Sequence, residues 1–556
     1  MSVETHFSIL DYVFFAIVFV VSLGIGLVYA LRLKKGQSLD EYLFGGRKLG
    51  VVPVSLSLIA TTVTGSSTIG QSMEVYGFGL HNWMFVIASV LWGLLVHFVF
   101  LPVFYDLQLM SSFAYLEMRF DKSVKYIASI LYVITGFFVI PLTLYVPALA
   151  FQEVTGINLY AISVVTGFLC IWYTAIGGYK TVVWTDVFQF ILIITSAIVI
   201  MIVGLSSVGG FRKVWEALDR GKRLTFFKTD LSLEIRGSMW AYLFSSVFIL
   251  CYQFSLSQSG IQRYLSLPTL TKAKKALWLQ IIFSIFILLI QFVIGSIIYT
   301  TYESCDPLTA GIVKKIDQIF PLFVQEKASA FTGFNGIFIA GVFAAGLSTT
   351  STLLNTMSGT IYVDFLSSRM KNVSERTTGR VMKILVAIVG VGGIALMFLI
   401  ERLGTIFSIT VQCFTISTVG VFGLFSSGMI FPKINCRGAK CGVIVSMAVI
   451  GVLIIGGLNK KPDTPLPLRT DGCNFMNSSS LHNASRVSLT KEDSNEDVPW
   501  IFRINFQFFC IIGLIINLLV GYTVSVFTGG NTDVDDKLLI TFLRKNPPQE
   551  ILLSTK

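Results

Sequence analysis

Thirteen apolar runs, each about as long as a helix must be to cross a bilayer (roughly 20 residues), recur along this chain, and no other feature limits its fold so tightly. Hydrocarbon offers no water to main-chain N–H and C=O groups. A spanning segment must therefore pair them within itself, which a helix does and an open strand cannot. The runs fall near residues 8–31, 50–75, 82–106, 124–151, 157–176, 184–207, 239–260, 277–300, 330–361, 380–401, 404–431, 438–457 and 503–527. Over all 556 residues the chain is 54% hydrophobic and only 13% charged, and its mean hydropathy is +0.75. The expected fold is an all-α polytopic membrane protein with thirteen transmembrane helices in one domain over 1–530. A loop at 458–500 precedes the last helix, and a polar tail covers 531–556.

Basic residues set the expected orientation. The connection after the first run carries Arg32, Lys34, Lys35, Arg47 and Lys48. Arg263, Lys272, Lys274 and Lys275 follow the seventh run, and Arg369, Lys371, Arg376 and Arg380 follow the ninth. Placing these inside puts the N-terminus outside and the C-terminus in the cytoplasm. The first run has no small-residue cleavage site after it, so it reads as a retained span. Loop 209–237 falls outside despite Arg212, Lys213, Arg220, Lys222, Arg223, Lys228 and Arg236, since long loops weigh less in the rule. Sequons at Asn477 and Asn483 also fall outside, where glycosylation can occur, whereas Asn372 falls inside. Of the eight cysteines, Cys170, Cys251, Cys413 and Cys510 read as apolar packing residues, and Cys305 and Cys473 share the outer side, where a disulfide can form. Cys436 and Cys441 lack a histidine partner for zinc. The net charge of +11 is thus mostly topology. No basic stripe with interleaved aromatics points to nucleic acid. Nor does any nucleophile, base and oxyanion-donor grouping point to an enzyme; His6, His81, His97 and His482 are dispersed.

Two spans are polar where lipid would favour bulky apolar groups. Within Gly341–Gly359, residues Ala345, Ser348, Thr349 and Thr352 follow i, i+3, i+4, i+7 and share a helix face. Hydroxyls on one face suit a hard cation, provided main-chain carbonyls from a broken helix complete its shell. They equally suit back-bonding to i−4 carbonyls and close helix packing. The run Ala60–Thr68, with Gly65 and Gly70 near it, predicts such a break in the second span, and Tyr252–Gly260 predicts another in the seventh. Pro147 in Tyr145–Ala150 predicts a kink, Gly177-Gly178 a tight turn between the fifth and sixth spans, and Glu117 and Arg119 read as interfacial charges. Asp186 starts the sixth span, with Gln189 one turn deeper. It either caps the helix N-terminus or serves a cation path.

Taken together, Tyr145–Ala150, Tyr173-Thr174, Gly177-Gly178, Trp184-Thr185-Asp186-Val187, Gln189, Gln262-Arg263-Tyr264 and Ser348–Thr352 resemble the sodium/solute symporter family over about residues 8–530. The likeness is to its animal branch of monocarboxylate, iodide and multivitamin carriers. This resemblance implies a leucine-transporter-type core of two inverted five-helix repeats, 50–207 and 238–432, whose first helices are interrupted. An extra helix at 8–32 and two more at 438–457 and 503–527 would flank that core. Also implied is a main sodium site from backbone oxygens of Ala60, Val63 and Ala345 with the hydroxyls of Ser348 and Thr349. A second sodium position would use Thr61, Asp186, Gln189 and Gln258, and a solute cavity Ser67, Tyr145, Leu250, Phe254 and Ser257. The expected protein is a plasma-membrane symporter whose partners are Na+, the bilayer and a small organic or inorganic anion. Val419-Gly420 stands where many relatives have Gly-Pro, and Leu250 and Phe254 depart from some relatives' aromatics, so no single relative's solute is inherited. The alternatives are a sugar or polyol carrier, against which Ser66 and Ser67 are short, and a sodium-gated sensor without transport.

Overall fold

The computed structural model describes residues 7–544 apart from 33–37, 235, 328–331, 371–372, 401–405, 458–459, 461–464, 474–497 and 532–533. All regular structure among these residues is helical. A peripheral α1 (Ile9–Arg32) and short α2 (Leu39–Phe44) lead into α3 (Val51–Thr62) and α4 (Gly65–Phe78). Next come α5 (Met84–Leu95), α6 (Leu101–Leu107), α7 (Ala114–Arg119), α8 (Lys122–Thr155) and α9 (Leu159–Val208). A surface helix α10 (Phe211–Arg220) precedes α11 (Met239–Cys251), α12 (Gln258–Leu265) and α13 (Leu270–Thr301). The chain closes with α14 (Ile319–Glu326), α15 (Phe334–Thr360), α16 (Glu375–Ile400), α17 (Ile406–Ile430), α18 (Cys436–Gly456) and α19 (Phe509–Phe527).

Among the described residues, eleven helices are long and apolar enough to cross a membrane, or up to twelve if a bent pair is taken as one span. That differs from the expected thirteen for two physical reasons. The second expected span is divided between α3 and α4, of 12 and 14 residues, each too short to cross alone. The fifth and sixth run together as the 50-residue α9. At about 1.5 Å per residue that helix would be about 75 Å long if straight, over twice the hydrocarbon thickness. Its break is Gly178, with φ 61° and ψ −157°, a conformation only glycine takes readily. The two helical segments of α9 thus meet at the double glycine, where the turn between the fifth and sixth spans was expected.

α15 is the axis of the molecule: 94% of its spanning window is buried against 17% for α1. Small residues let its neighbours approach. A Cβ on Gly346 would stand 2.5 Å from the Thr143 carbonyl of α8, an oxygen that Pro147, having no N–H, cannot satisfy. Buried serine and threonine hydroxyls along α15 mostly bond to i−3 or i−4 carbonyls, as at Thr350, Ser351, Thr356 and Ser358, so the helix hides its polar groups internally.

Several charges do other work than the sequence suggests. Arg119, expected at the interface, is 4% exposed and donates to the carbonyls of Gly428, Phe431, Pro432 and Ile434. It closes the C-terminal end of α17, where unpaired carbonyls and the helix dipole favour a cation. Glu117 pairs with Lys125. In loop 209–237, Arg223 is fully buried, donates to the Tyr76 and Gly221 carbonyls, and lies 3.7 Å from the Tyr299 ring centre. Arg220 pairs with Glu303 and Arg236 with Glu74. In this loop Arg223 is thus spent on packing, while Arg220 and Arg212 form exposed pairs with Glu303 and Glu216. Cys305 and Cys473 form a disulfide, while Cys170, Cys251 and Cys510 are buried thiols. The sequons at Asn372, Asn477 and Asn483 lie outside the described residues. Of the expected tail, Leu538 and Leu539 are buried, and Arg544 pairs with Asp106 of α6.

Candidate cation and solute site

The break between α3 and α4 is built locally. Val63 (φ −92°, ψ 91°) and Thr64 (φ −83°, ψ 160°) are extended, and α4 restarts with a capping box. Ser67 N–H donates to Thr64 Oγ1 (3.0 Å), and Thr64 N–H donates to Ser67 Oγ (2.9 Å). The break leaves the last carbonyls of α3 without intrahelical partners. One of them, Ala60 O, meets α15: Ser348 Oγ lies 2.8 Å from Ala60 O and 3.0 Å from Ala345 O. Thr349 Oγ1 stands 3.2 Å from Ala345 O, and Val63 packs in the same buried cluster as Ala60 and Ala345. A single hydroxyl proton cannot serve two acceptors well, so neutral oxygens converge here in excess of donors. Such a set of uncharged, hard ligands fits an alkali or alkaline-earth cation and not a thiophilic metal.

A second break follows α11. α11 passes through a π-helical turn (Tyr252–Leu256) to Ser257, extended at φ −67° and ψ 152°, before α12 begins. Both helices expected to be interrupted are interrupted.

Between the breaks lies a cavity of about 90 Å³, lined by Thr61 and Thr64 of the first break, Phe254 and Ser257 of the second, and Thr349 and Thr352 of α15, among others. Tyr132, Thr135, Tyr252, Gln253, Ser259 and Phe414 also face it; none of these was expected. Among the described residues, no charged side chain lines the wall. One water needs about 10–15 Å³ by such a measure, so the space suits several waters or a small solute. Three residues expected at the cavity are elsewhere. Ser67 is spent on the capping box, Leu250 is 4% exposed in the apolar core, and Tyr145 packs near Leu142.

The residues expected at a second cation position come together in part. Asp186 is fully buried; its Oδ2 accepts from Ser57 Oγ (2.6 Å) and Arg263 Nη2 (3.0 Å), and its Oδ1 has no hydrogen-bond partner among the described residues. Neither amide atom of buried Gln189 has one either. Thr61 Oγ1 donates to Leu58 O and Ser57 O, on the same turn of α3 that carries Ser57. Gln258 is engaged with another segment, donating to Met110 O and accepting from Ser112 N–H.

Arg263, read from sequence as a basic loop residue, is 1% exposed and ties four elements together. It donates to Ser57 Oγ of α3 (2.8 Å), Ser259 O of α12 (2.8 Å), Asp186 of α9 and Thr352 Oγ1 of α15 (2.5 Å). The one signal in the sequence was the triplet Gln262-Arg263-Tyr264 within the family resemblance.

Two broken helices, carbonyls freed at the breaks and a neutral hydroxyl-walled cavity between them define a secondary transporter. The profile of the Sodium:solute symporter family matches residues 42–446, and the chain belongs to that family. It is 31% identical to sodium-coupled monocarboxylate transporter 2 of Mus musculus over 543 residues, covering 96% of this chain and 86% of that one. The same transporter from Danio rerio is 32% identical (97% and 87% covered), and the sodium-dependent multivitamin transporter of Oryctolagus cuniculus 28% identical (95% and 84%). In fold, the chain is similar to a Na+-coupled sialic acid symporter solved in a substrate-bound outward-open state, with TM-score 0.76 and 22% identity, covering 95% of this chain and 100% of that one. A nucleobase-cation-symport-1 family transporter gives TM-score 0.52 at 13% identity. The fold is thus the leucine-transporter type, and the family is one of transporters, not enzymes.

Proposed function

We propose that this protein imports a small organic anion of the monocarboxylate type across the plasma membrane, driven by sodium. The observation that carries the reading is that Thr61 and Thr349 belong both to the cavity wall and to the oxygen-rich surroundings of the first break. In this reading sodium is held by the carbonyls of Ala60, Val63 and Ala345 and the hydroxyls of Ser348 and Thr349. A second cation position uses the free oxygens at Asp186 and Gln189, with Thr61 beside them. Gln258, held by the 110–112 segment, joins only if that segment moves.

An anion is favoured over a cation because, among the described residues, the wall bears no carboxylate to attract a cation or repel an anion; Arg263, behind Thr352 and Ser259, is already neutralised by Asp186. Phe254 and Ser257 shape the apolar and polar ends of the solute. The names of the relatives agree with that chemistry. Thirteen crossings, counting α3–α4 as one and α9 as two, would put the termini on opposite sides, and the basic connections after the first, seventh and ninth spans favour an outside N-terminus and a cytoplasmic C-terminus.

A competition uptake screen over monocarboxylates and polyols, with and without external sodium, identifies the solute. Ser348→Ala and Thr349→Ala then test the cation site: losing one contact worth roughly 1.5–3 kcal/mol should raise the half-activating external sodium about ten- to hundredfold. Thr349→Ser keeps the oxygen and should change it far less. If both alanine variants, normalised to surface protein, keep the original sodium curve, the cation is not held here.

A further inference from the structure

Beyond α19 the chain turns back on the molecule. Asn531 N–H donates to Lys433 O (3.1 Å), and residues 534–544 cross the ends of α6, α7 and α17. Tyr115 Oη of α7 donates to Leu538 O (2.9 Å), Ile540 N–H donates to Met429 O of α17 (3.2 Å), and Arg544 Nη1 donates to Asp106 Oδ2 of α6 (2.7 Å). Arg544 also folds the segment onto itself, donating to Leu539 O (3.0 Å) and Lys537 O (3.3 Å). Leu538, Leu539 and Arg544 are all buried. Chain ends fray unless they are tied down, and this one is tied to three helices.

What those contacts hold matters for the cavity. Asp106 and Tyr115 flank the connection between α6 and α7, and this connection grips the second break: Gln258 Nε2 donates to Met110 O (2.9 Å), and Gln258 Oε1 accepts from Ser112 N–H (2.7 Å). Gln258 opens α12 directly after Ser257, the extended residue of the break, which lines the cavity. α12 can therefore swing away from the cavity in two ways only: it pulls Gln258 off the connection, or it carries the connection along. The first breaks two hydrogen bonds of a side chain that is 1% exposed. The second is opposed by residues 538–544, which fasten both flanks of the connection to each other and to α17.

We propose that residues 534–544 are a strap that keeps the side assigned above to the cytoplasm closed, and that its release from Asp106 and Tyr115 lets α12 and the connection before α7 move off the cavity together. The inference rests on the reading of the preceding subsection for which side is the cytoplasm, and not on its cation or solute ligands. The strap touches neither the cavity wall nor the oxygens of the first break. It therefore biases the equilibrium between closed and open arrangements and leaves affinity within each unchanged.

The test follows thiol labelling of the full chain in inside-out membrane vesicles, with a charged, membrane-impermeant thiol reagent as the probe and neither sodium nor solute present. Cys436→Ser and Cys441→Ser remove the accessible thiols of that face, and Ser112→Cys puts one at a position 1% exposed when the connection is in place. Arg544→Ala should raise the labelling rate about fivefold, the loss of one partly exposed ion pair. Asp106→Ala should do the same, and the two together no more than either, because they remove one contact. Ending the chain at Asn531 should raise the rate at least as much, and a peptide of residues 534–544 added to that shortened chain should bring it back down. Unchanged labelling in both Arg544→Ala and the shortened chain overturns the strap. A general loosening would lower the melting temperature and leave the peptide without effect, and that result overturns it too. Labelling needs no transport, so if this pattern appears while sodium-driven uptake does not, the symport reading fails and the strap stands.

Discussion

The buried pair of Asp186 and Arg263 makes the sharpest demand on the fold. Asp186 is fully buried and Arg263 is 1% exposed, with Nη2 3.0 Å from Oδ2. Asp186→Leu would leave the guanidinium with Ser57 Oγ, Ser259 O and Thr352 Oγ1, all neutral acceptors, and no counter-charge. Removing one partner of such a pair costs about 3–5 kcal/mol. Native stabilities are about 5–15 kcal/mol, so the single variant should lose a large part of its folded population. Arg263→Met should do the same by stranding the carboxylate. Replacing both residues by apolar ones of similar volume removes the stranded charge, and such replacements are often neutral or stabilising.

The expected pattern is therefore non-additive. Each single variant should melt well below the parent in detergent and reach the surface poorly, whereas Asp186→Leu with Arg263→Met should recover both properties. Sodium-driven uptake should stay absent in the double variant, because Asp186 Oδ1 and the Arg263 contacts to the cavity wall are gone. Thermal melting of the purified protein, surface labelling and tracer uptake measure the three quantities. Single variants that melt like the parent, or a double variant that loses as much as the two singles added together, would refute the argument.

Phe254→Ala enlarges one wall of the cavity and should change which solutes compete while leaving half-activating sodium within about twofold, since aromatic contacts carry fit more than charge; a uniform loss of surface protein would mark Phe254 as packing. Enzymatic deglycosylation should shift the protein's mobility, and an Asn477→Gln, Asn483→Gln double variant should abolish the shift; access to loop 458–500 from the cytoplasm alone would overturn the orientation. In the same loop Cys473 should resist thiol labelling until reduction, and Cys305→Ser should free it, with a stability loss of about 2–5 kcal/mol.

What the sequence made legible was local. The breaks at Val63–Thr64 and Ser257 sit in runs of hydroxyl and glycine residues that an apolar span does not otherwise tolerate, and the bend in α9 sits at a double glycine. The meeting of Ala60 with Ser348 followed from the family pattern rather than from spacing. Hidden were the partners distant in sequence. Arg263 and its acceptors on α3, α9 and α15 are separated by 206, 77 and 89 residues, and apart from the family triplet Gln262-Arg263-Tyr264 nothing near Arg263 distinguishes it from a loop arginine. Arg119 finds its carbonyls 309 to 315 residues away. Ser67 is a different case. Its spacing from Thr64 fits a helix cap, and local capping claimed the hydroxyl that the family pattern gave to the solute. Gln258 was likewise claimed by backbone at Met110 and Ser112.

On the proposed reading Thr61 and Thr349 are shared between cation and solute surroundings, and that sharing has a thermodynamic consequence. If sodium draws these oxygens into its shell, it fixes the wall that the solute meets, and the solute in turn fixes the wall for sodium. Linkage then requires the two effects to be equal: whatever factor sodium adds to solute affinity, the solute adds to sodium affinity. Couplings of this kind are typically about 1–3 kcal/mol, roughly 5–150-fold. Binding of each ligand to purified protein at zero and saturating concentration of the other yields both factors, which should agree within error. Thr61→Val and Thr349→Val remove the shared hydroxyls, and each should shrink both factors together while leaving the solute's affinity in the absence of sodium less changed. If the two factors fall in the Ser348→Ala variant but persist in these, the coupling runs through the break in α3 and α4 and not through the shared wall.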